Sequence, residues 1–268
     1  MSFGGEIEVP QRCLSVVVPV YNEERTLPLI IAKVLKVPNL LEIVIVDDCS
    51  DDGSHSIIER LVSEHEIIRG VYQERNQGKT AALRAGIAET VGDIVIIQDA
   101  DLEYDPSEIP EVIYPIIAGF ADVAYGSRFI IRRAARVLYY YHYLANKALT
   151  MLSNILTNLN LTDVETCYKA FRGDIIRNMT ITSSGFGFEV EVTAKMAKLK
   201  CALYEVPISY YGRTYEEGKK ITYRDGIAAL YYVIRFNLFC SKRSSFKALP
   251  DVGPRPLIDV GSNQDEPI

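Results

Sequence analysis

Residues 96–108 read IIQDADLEYDPSE. The apolar run 94–97 (IVII) stops abruptly, and acids follow at alternate positions, Asp99, Asp101 and Glu103. Side chains alternate across a strand, so the three acids share one face if the extended geometry persists. Like charges that close repel and raise each other's pKa, so something positive is expected among them. A buried strand ending in acids is the pattern from which the rest of the chain can be read.

Working outward, the first half alternates strand and helix patterns. Residues 14–20 (LSVVVPV), 42–46 (EIVIV), 67–73, 93–98 and 121–125 read as strands. Residues 24–37, 56–66, 78–91 and 106–118 read as helices, with Pro28 tolerated only near the start of the first. Strands apolar on both faces and separated by helices predict an α/β fold, a mostly parallel sheet covered on both faces. Ligands of such sheets bind at the carboxyl ends of the strands. There the sequence places Pro19, Tyr21 and Glu23, then Asp47 and Asp48, then Asp99 and Asp101, then Arg128. Right-handed crossovers bring these loops to one edge.

The second half is less regular. A long helical pattern spans 132–156, basic at its start and Tyr-rich in its middle (RRAARVLYYYHYLANK). Residues 163–171 look extended, 187–199 helical, 201–210 a strand and 223–239 an amphipathic helix. With 17 Tyr and no Trp in the chain, Tyr takes every amphipathic aromatic role. One domain is expected over residues 1–240, with a nucleotide-binding part at about 14–128 and an acceptor part at about 129–240. The stretch 241–268 carries prolines and turn formers, and is expected to be a disordered tail.

The net charge of −6 argues against a nucleic-acid partner. The five cysteines have no metal-finger spacing and an odd count, which predicts a reducing, cytoplasmic setting. No signal-peptide pattern opens the sequence and no uncharged run reaches the ~18–20 residues of a membrane span.

The acids alone fit either a structural salt-bridge cluster or a cation site. A hard cation, Mg²⁺ or Mn²⁺, satisfies such carboxylates and keeps positions open for phosphate oxygens. Gly78-Lys79-Thr80 looks like the end of a P-loop, but Gln73 stands where that motif needs Gly, so an NTPase is excluded. No G-x-G-x-x-G follows the first strand, which argues against a dinucleotide oxidoreductase.

Eight blocks in order carry a family resemblance: VVVPVYNEE (16–24), IVIVDDCSDDGS (43–54), NQGKTAALRAGI (76–87), QDADLEYDP (98–106), YGSRF (125–129), LTDVETCYKAF (161–171), GFGFEVEVTAK (185–195) and YEVPISYYGRTYEEGKK (204–220). Together they resemble family 2 glycosyltransferases of the GT-A fold, and among these the dolichyl-phosphate mannose synthases and bacterial polyprenyl-phosphate hexose synthases. The resemblance implies a single GT-A domain and inverting transfer of a hexose from a GDP- or UDP-sugar to a polyprenyl phosphate. Pro19, Tyr21 and Glu23 would hold the nucleoside, with Val46 and Asp48 at the base. Asp99, Ala100 and Asp101 match the metal and ribose motif. Asp101 would coordinate Mg²⁺ or Mn²⁺ most directly, beside Asp99, with Glu103 as a third ligand. Arg128, Arg213 and Lys219 would meet the diphosphate, the last two from a closing loop; as an alternative they belong to an exposed basic loop.

A lipid phosphate acceptor is already anionic and needs no base, whereas a hydroxyl acceptor does. The base candidates are Asp163, Glu165, Glu189 and Glu191. A glycan hydroxyl acceptor is the second enzymatic reading, and a non-catalytic nucleotide-sugar-binding scaffold the reading from another class. Residues 132–147 and 223–247 are the two segments able to lie on a cytoplasmic membrane face; the alternative, favoured for the second, is that they pack on the domain, and a membrane partner subunit is the other route to lipid.

Overall fold

The structure, a computed structural model, describes residues 12–130, 139–213 and 223–253. Seven strands form one sheet: β1 (Leu14–Val20), β2 (Leu40–Asp47), β3 (Ile68–Tyr72), β4 (Ile94–Ile97), β5 (Val123–Ser127), β6 (Lys169–Arg172) and β7 (Leu203–Pro207). Their spatial order is β3-β2-β1-β4-β6-β5-β7. β1 pairs in parallel with β2 and β4, β2 with β3, and β5 with β7, while β6 runs antiparallel between β4 and β5. The predicted mostly parallel α/β sheet is therefore found, with one reversed strand.

Strand alternation builds two cores. Val16 and Val18 of β1, Ile43 and Ile45 of β2, and Ile94 and Ile96 of β4 pack on one face with α1 (Leu27–Val34), α2 (Ser54–Glu64) and α4 (Ile109–Ile117). Val17, Val95, Ile97, Tyr125 and Phe171 face the other side. There they meet α3 (Lys79–Glu89), α6 (Gly173–Asn178) and α7 (Phe188–Leu199). Helix α3 lies close against the sheet because Gly86 carries no side chain. A Cβ there would stand 2.6 Å from Val17 Cγ1 and 2.8 Å from Val46 Cγ2. Helices α5 (Tyr140–Thr157) and α8 (Tyr223–Leu238) pack on each other, and α7 packs on α8.

Two expectations change. Residues 241–253 continue the fold: Ser245 and Phe246 are buried, Phe246 bridges to Met179, and Gly253 N–H donates to Asp122. An aromatic able to reach the α6–α7 core outweighs the polar composition around it. Residues 254–268 lie outside the described residues, as do 131–138 with the basic start of the Tyr-rich segment. Second, β4 ends at Ile97, and Leu102 adopts the left-handed φ of 63°. The alternation of Asp99, Asp101 and Glu103 therefore does not continue as a strand: Asp99 faces Lys79, while Asp101 and Glu103 both meet Arg213.

Candidate active site

The carboxyl ends of β1, β2, β4 and β5 open into one cleft of about 1250 Å³. Pro19, Tyr21, Glu23 and Asp48 line one end. Asp99, Ala100, Asp101, Glu103 and Arg213 line its middle. Arg128 and Phe129 stand at the side nearer α5. Val46, expected at the base, does not line the cleft. Its side chain is fully buried with Ala82, because it points to the α3 face of β2. Lys219 lies outside the described residues.

Asp48 is buried and accepts from the backbone N–H groups of Gln77 and Gly78, each at 2.8 Å. It thereby ties the entry of α3 to β2. Gly78 takes a φ of 85°, a conformation glycine adopts without steric cost. Glu23 Oε2 accepts from Thr26 Oγ1 at 2.6 Å and from Arg213 Nη2 at 3.1 Å.

The positive groups expected among the acids are Lys79 and Arg213. Lys79 Nζ stands 2.8 Å from Asp99 Oδ1, 3.0 Å from Cys167 Sγ and 3.4 Å from Glu189 Oε1. Burial works against its charge, but Asp99, then Cys167 and Glu189, outweigh it and hold Lys79 above the usual lysine range. Arg213 Nη2 lies 3.7 Å from Asp101 Oδ2, and its Nε donates to the Asp101 carbonyl at 3.0 Å. Glu103 is differently employed: its carboxylate accepts from Arg213 N at 2.6 Å and Tyr210 Oη at 2.8 Å. It fastens the segment that carries Arg213 rather than completing a three-carboxylate cage.

Among the described residues, no group of three His, Cys, Asp or Glu side chains could hold a metal ion. Asp99 and Asp101 nevertheless fit a hard divalent cation that takes one or two carboxylates and fills its shell with phosphate oxygens and water.

The four base candidates separate. Asp163 is fully buried and clasped by Arg128, Nε to Oδ2 and Nη2 to Oδ1 at 2.7 Å each. Burial would raise its pKa, but the guanidinium overrides that and holds it below the ordinary carboxylate value. Glu191 is buried on α7, where it accepts from the backbone N–H groups of Thr182 and Ser183 and pairs with Lys195 at 2.5 Å. It does not line the cleft and holds the chain leading into α7. Glu165 and Glu189 do line it. Burial, and then the charge of Glu189, pushes Glu165 up to about 8.

Lys79 was the main omission from the sequence-based site. Its signal was available: a lysine at the start of a helix that begins at a sheet's carboxyl edge, in a chain whose acids call for a cation. Cys167 and Tyr210 had no comparable local signal. Their places follow from the reversed β6 and from the segment after β7.

Beyond Arg128, the cleft opens between α5 and α8, past Tyr139, Tyr141, Ile227 and Leu230. Tyr141 is 80% exposed, and Phe239 just after α8 is likewise 80% exposed. Among the described residues, no helix is long and apolar enough to cross a membrane.

Known proteins resemble this chain in sequence and in fold. A model of glycosyl transferase family 2 matches residues 15–180. The chain is 35% identical over 171 residues to an undecaprenyl-phosphate 4-deoxy-4-formamido-L-arabinose transferase of Pectobacterium atrosepticum, covering 62% of this chain and 50% of that protein. It thus spans half the length of that relative. It is 28% identical over 209 residues to an undecaprenyl-phosphate mannosyltransferase of Micrococcus luteus, covering 76% of this chain and 85% of that one. The fold resembles glucosyl-3-phosphoglycerate synthase from Mycobacterium tuberculosis, solved with Mn²⁺ and UDP-glucose, with a TM-score of 0.66 at 19% identity over 84% of this chain and 79% of that chain. With the family model matching more than half of its length, the chain belongs to glycosyl transferase family 2.

Proposed function

We propose that the protein transfers a hexose, with inversion, from a nucleoside diphosphate sugar to a polyprenyl phosphate at the cytoplasmic membrane face. The observation that carries this reading is the continuity of the cleft. It runs from the acids and Arg213 at the sheet edge to an aromatic mouth between two helices with exposed apolar faces. A water-soluble acceptor has no need of such a mouth; a lipid-linked phosphate does. The lipid-phosphate relatives support the same acceptor class.

In this reading Pro19, Tyr21, Glu23 and Asp48 hold the nucleoside. Asp99 and Asp101 would hold Mg²⁺ or Mn²⁺, which when bound neutralises charge on the diphosphate. A phosphate oxygen of the acceptor attacks the anomeric carbon. The bond from that carbon to the donor's diphosphate breaks, and its electron pair leaves with the nucleoside diphosphate. Arg213, held by Glu23, Asp101 and Glu103, is aimed where that negative charge develops. Lys219, outside the described residues, is the second positive group that the sequence offers for that charge. Arg128, oriented by Asp163, supplies positive charge on the acceptor side. No proton has to be removed from the nucleophile, which agrees with Asp163 being locked in an ion pair and Glu191 serving the backbone.

The test is nucleoside diphosphate release by the full chain with Mn²⁺ or Mg²⁺, a panel of UDP- and GDP-hexoses and a short polyprenyl phosphate. Release that depends on the lipid phosphate is the expected result. Turnover only with a hydroxyl acceptor would overturn the acceptor assignment while leaving the donor site in place.

A further inference from the structure

Burying a polar atom without a hydrogen-bond partner costs free energy, so buried side-chain atoms without partners mark places built for something else. Five such atoms occur among the described residues. Two of them, Glu165 Oε1 and Glu189 Oε2, belong to residues that line the cleft. They stand on the same inner wall. Glu189 Oε1 lies 3.4 Å from Lys79 Nζ and 3.8 Å from Cys167 Sγ, and Cys167 is two residues from Glu165. The same Lys79 pairs with Asp99, so the two glutamates adjoin the acid proposed to hold the cation.

A carboxylate repels a phosphate, and carboxyl groups of either charge offer nothing to an apolar chain. They suit neutral hydrogen-bond donors. In a nucleoside diphosphate sugar the group bonded next to the diphosphate is a ring bearing several hydroxyls. Lys79 cannot satisfy the second oxygen of Glu189, being occupied by Asp99, Cys167 and Glu189 Oε1. Glu165 carries its proton at neutral pH, having been pushed up to about 8 by burial and by Glu189, so it can accept from one hydroxyl and donate to another.

We propose that Glu165 and Glu189 bind the hydroxyls of the sugar being transferred, and so choose which hexose the protein accepts. This rests on the donor site of the proposed function and assigns its sugar pocket. It gives the two glutamates a binding role in place of the general-base role considered from sequence. A site that hydrogen-bonds a substrate hydroxyl rejects an analogue lacking it strongly, because its own polar groups are then left unpaired.

The experiment is calorimetric binding to the full chain, with Mn²⁺, of four probes: UDP, UDP-glucose, GDP and GDP-mannose. It is run on the wild type, Glu165→Ala and Glu165→Gln. The wild type is expected to bind one nucleotide sugar more tightly than its free nucleoside diphosphate. Glu165→Ala should weaken that nucleotide sugar by about tenfold or more, and the free nucleoside diphosphate by less than about twofold. Glu165→Gln keeps an acceptor oxygen of the same shape, and should stay within about threefold of wild type for both. Equal losses for the two probes would mean that Glu165 only supports the fold, and would overturn the assignment. Unchanged affinity for both, with turnover lost, would return Glu165 to a base role and also overturn it. A wild type that binds none of the four probes would sink the donor reading itself, and the sugar pocket with it.

Discussion

Arg128 and Asp163 clasp each other at two points, Nε to Oδ2 and Nη2 to Oδ1, both at 2.7 Å. They lie 35 residues apart, just after β5 and within the loop before β6, and meet because β5 and β6 pair. The arginine is 12% exposed at the cleft wall and the aspartate fully buried, so one end of the pair is structural and the other faces the substrate space. Asn146 of α5 adds a longer contact to the same carboxylate.

Removing one partner of a buried pair leaves the other uncompensated. Arg128→Met or Asp163→Leu alone should therefore cost roughly 3–5 kcal/mol of stability. Arg128→Met with Asp163→Leu should cost far less than either single change. Urea unfolding of the three variants measures this, and simple additivity of the single losses would show that the pair is not coupled.

Asp101 lies beside Arg213, and Asp99 is held by Lys79. Asp101→Asn should lower turnover on the order of 10²–10³-fold, the scale of losing one preorganised charge partner in a transition state. Chelation by EDTA should abolish turnover in the wild type, and added Mn²⁺ or Mg²⁺ should restore it. Steady-state assays with metal titration check both. Wild-type turnover surviving in EDTA would remove the cation from the site.

Glu165 gives a pH signature. Its folded pKa, raised to about 8, lies above its ordinary 4.5. Between those values the folded state keeps a proton that the unfolded chain has lost. Its contribution is therefore complete below about 4.5 and declines as pH rises toward 8, by at most about 1.4 kcal/mol per pH unit. Lys169, pushed down to about 8 by burial, acts with the opposite slope but only above that pH. Asp163, held below 3.8, acts only at the acid end. Glu165→Gln should flatten the decline in stability between pH 5 and 7.5. Parallel curves for wild type and variant, from urea unfolding at several pH values, would contradict it.

The exposed apolar faces of α5 and α8 give a surface signature. Tyr140 is 67% exposed and Phe239 80% exposed, and neither lines the cleft. Replacing both by Ser should reduce co-sedimentation with vesicles containing anionic lipid, by about 30-fold if each contributes roughly 1 kcal/mol of interfacial burial. Turnover with a short soluble polyprenyl phosphate should change little. Undiminished vesicle binding would place the contact elsewhere.

Much of the fold was legible because it rests on local periodicity. The runs around Val17, Ile45 and Ile96 are apolar on both faces, and only a sheet covered on both sides buries them. The site was legible where the pattern of strand ends was enough: Tyr21, Glu23, Asp48, Asp99, Asp101 and Arg128 do share one edge. Val46 turns away from the cleft because its side depends on the pleat of β2 against α3, and Glu103 meets Tyr210 and Arg213 where Leu102 turns the chain away from the strand direction. The segment after Ser241 was misjudged on composition, where a single buried aromatic, Phe246, decides the packing.

By itself the sequence determined which residues could form strands, which charges the strand ends would carry, and that a positive group had to meet them. Only the tertiary structure decided which positive group meets which acid. Lys79 and Asp99, Arg213 and Glu103, and Arg128 and Asp163 are separated by 20, 110 and 35 positions. Chain periodicity specifies the direction of a side chain within one element. Contacts across such distances depend on strand order and on the antiparallel insertion of β6, and these are settled by how the two cores pack together.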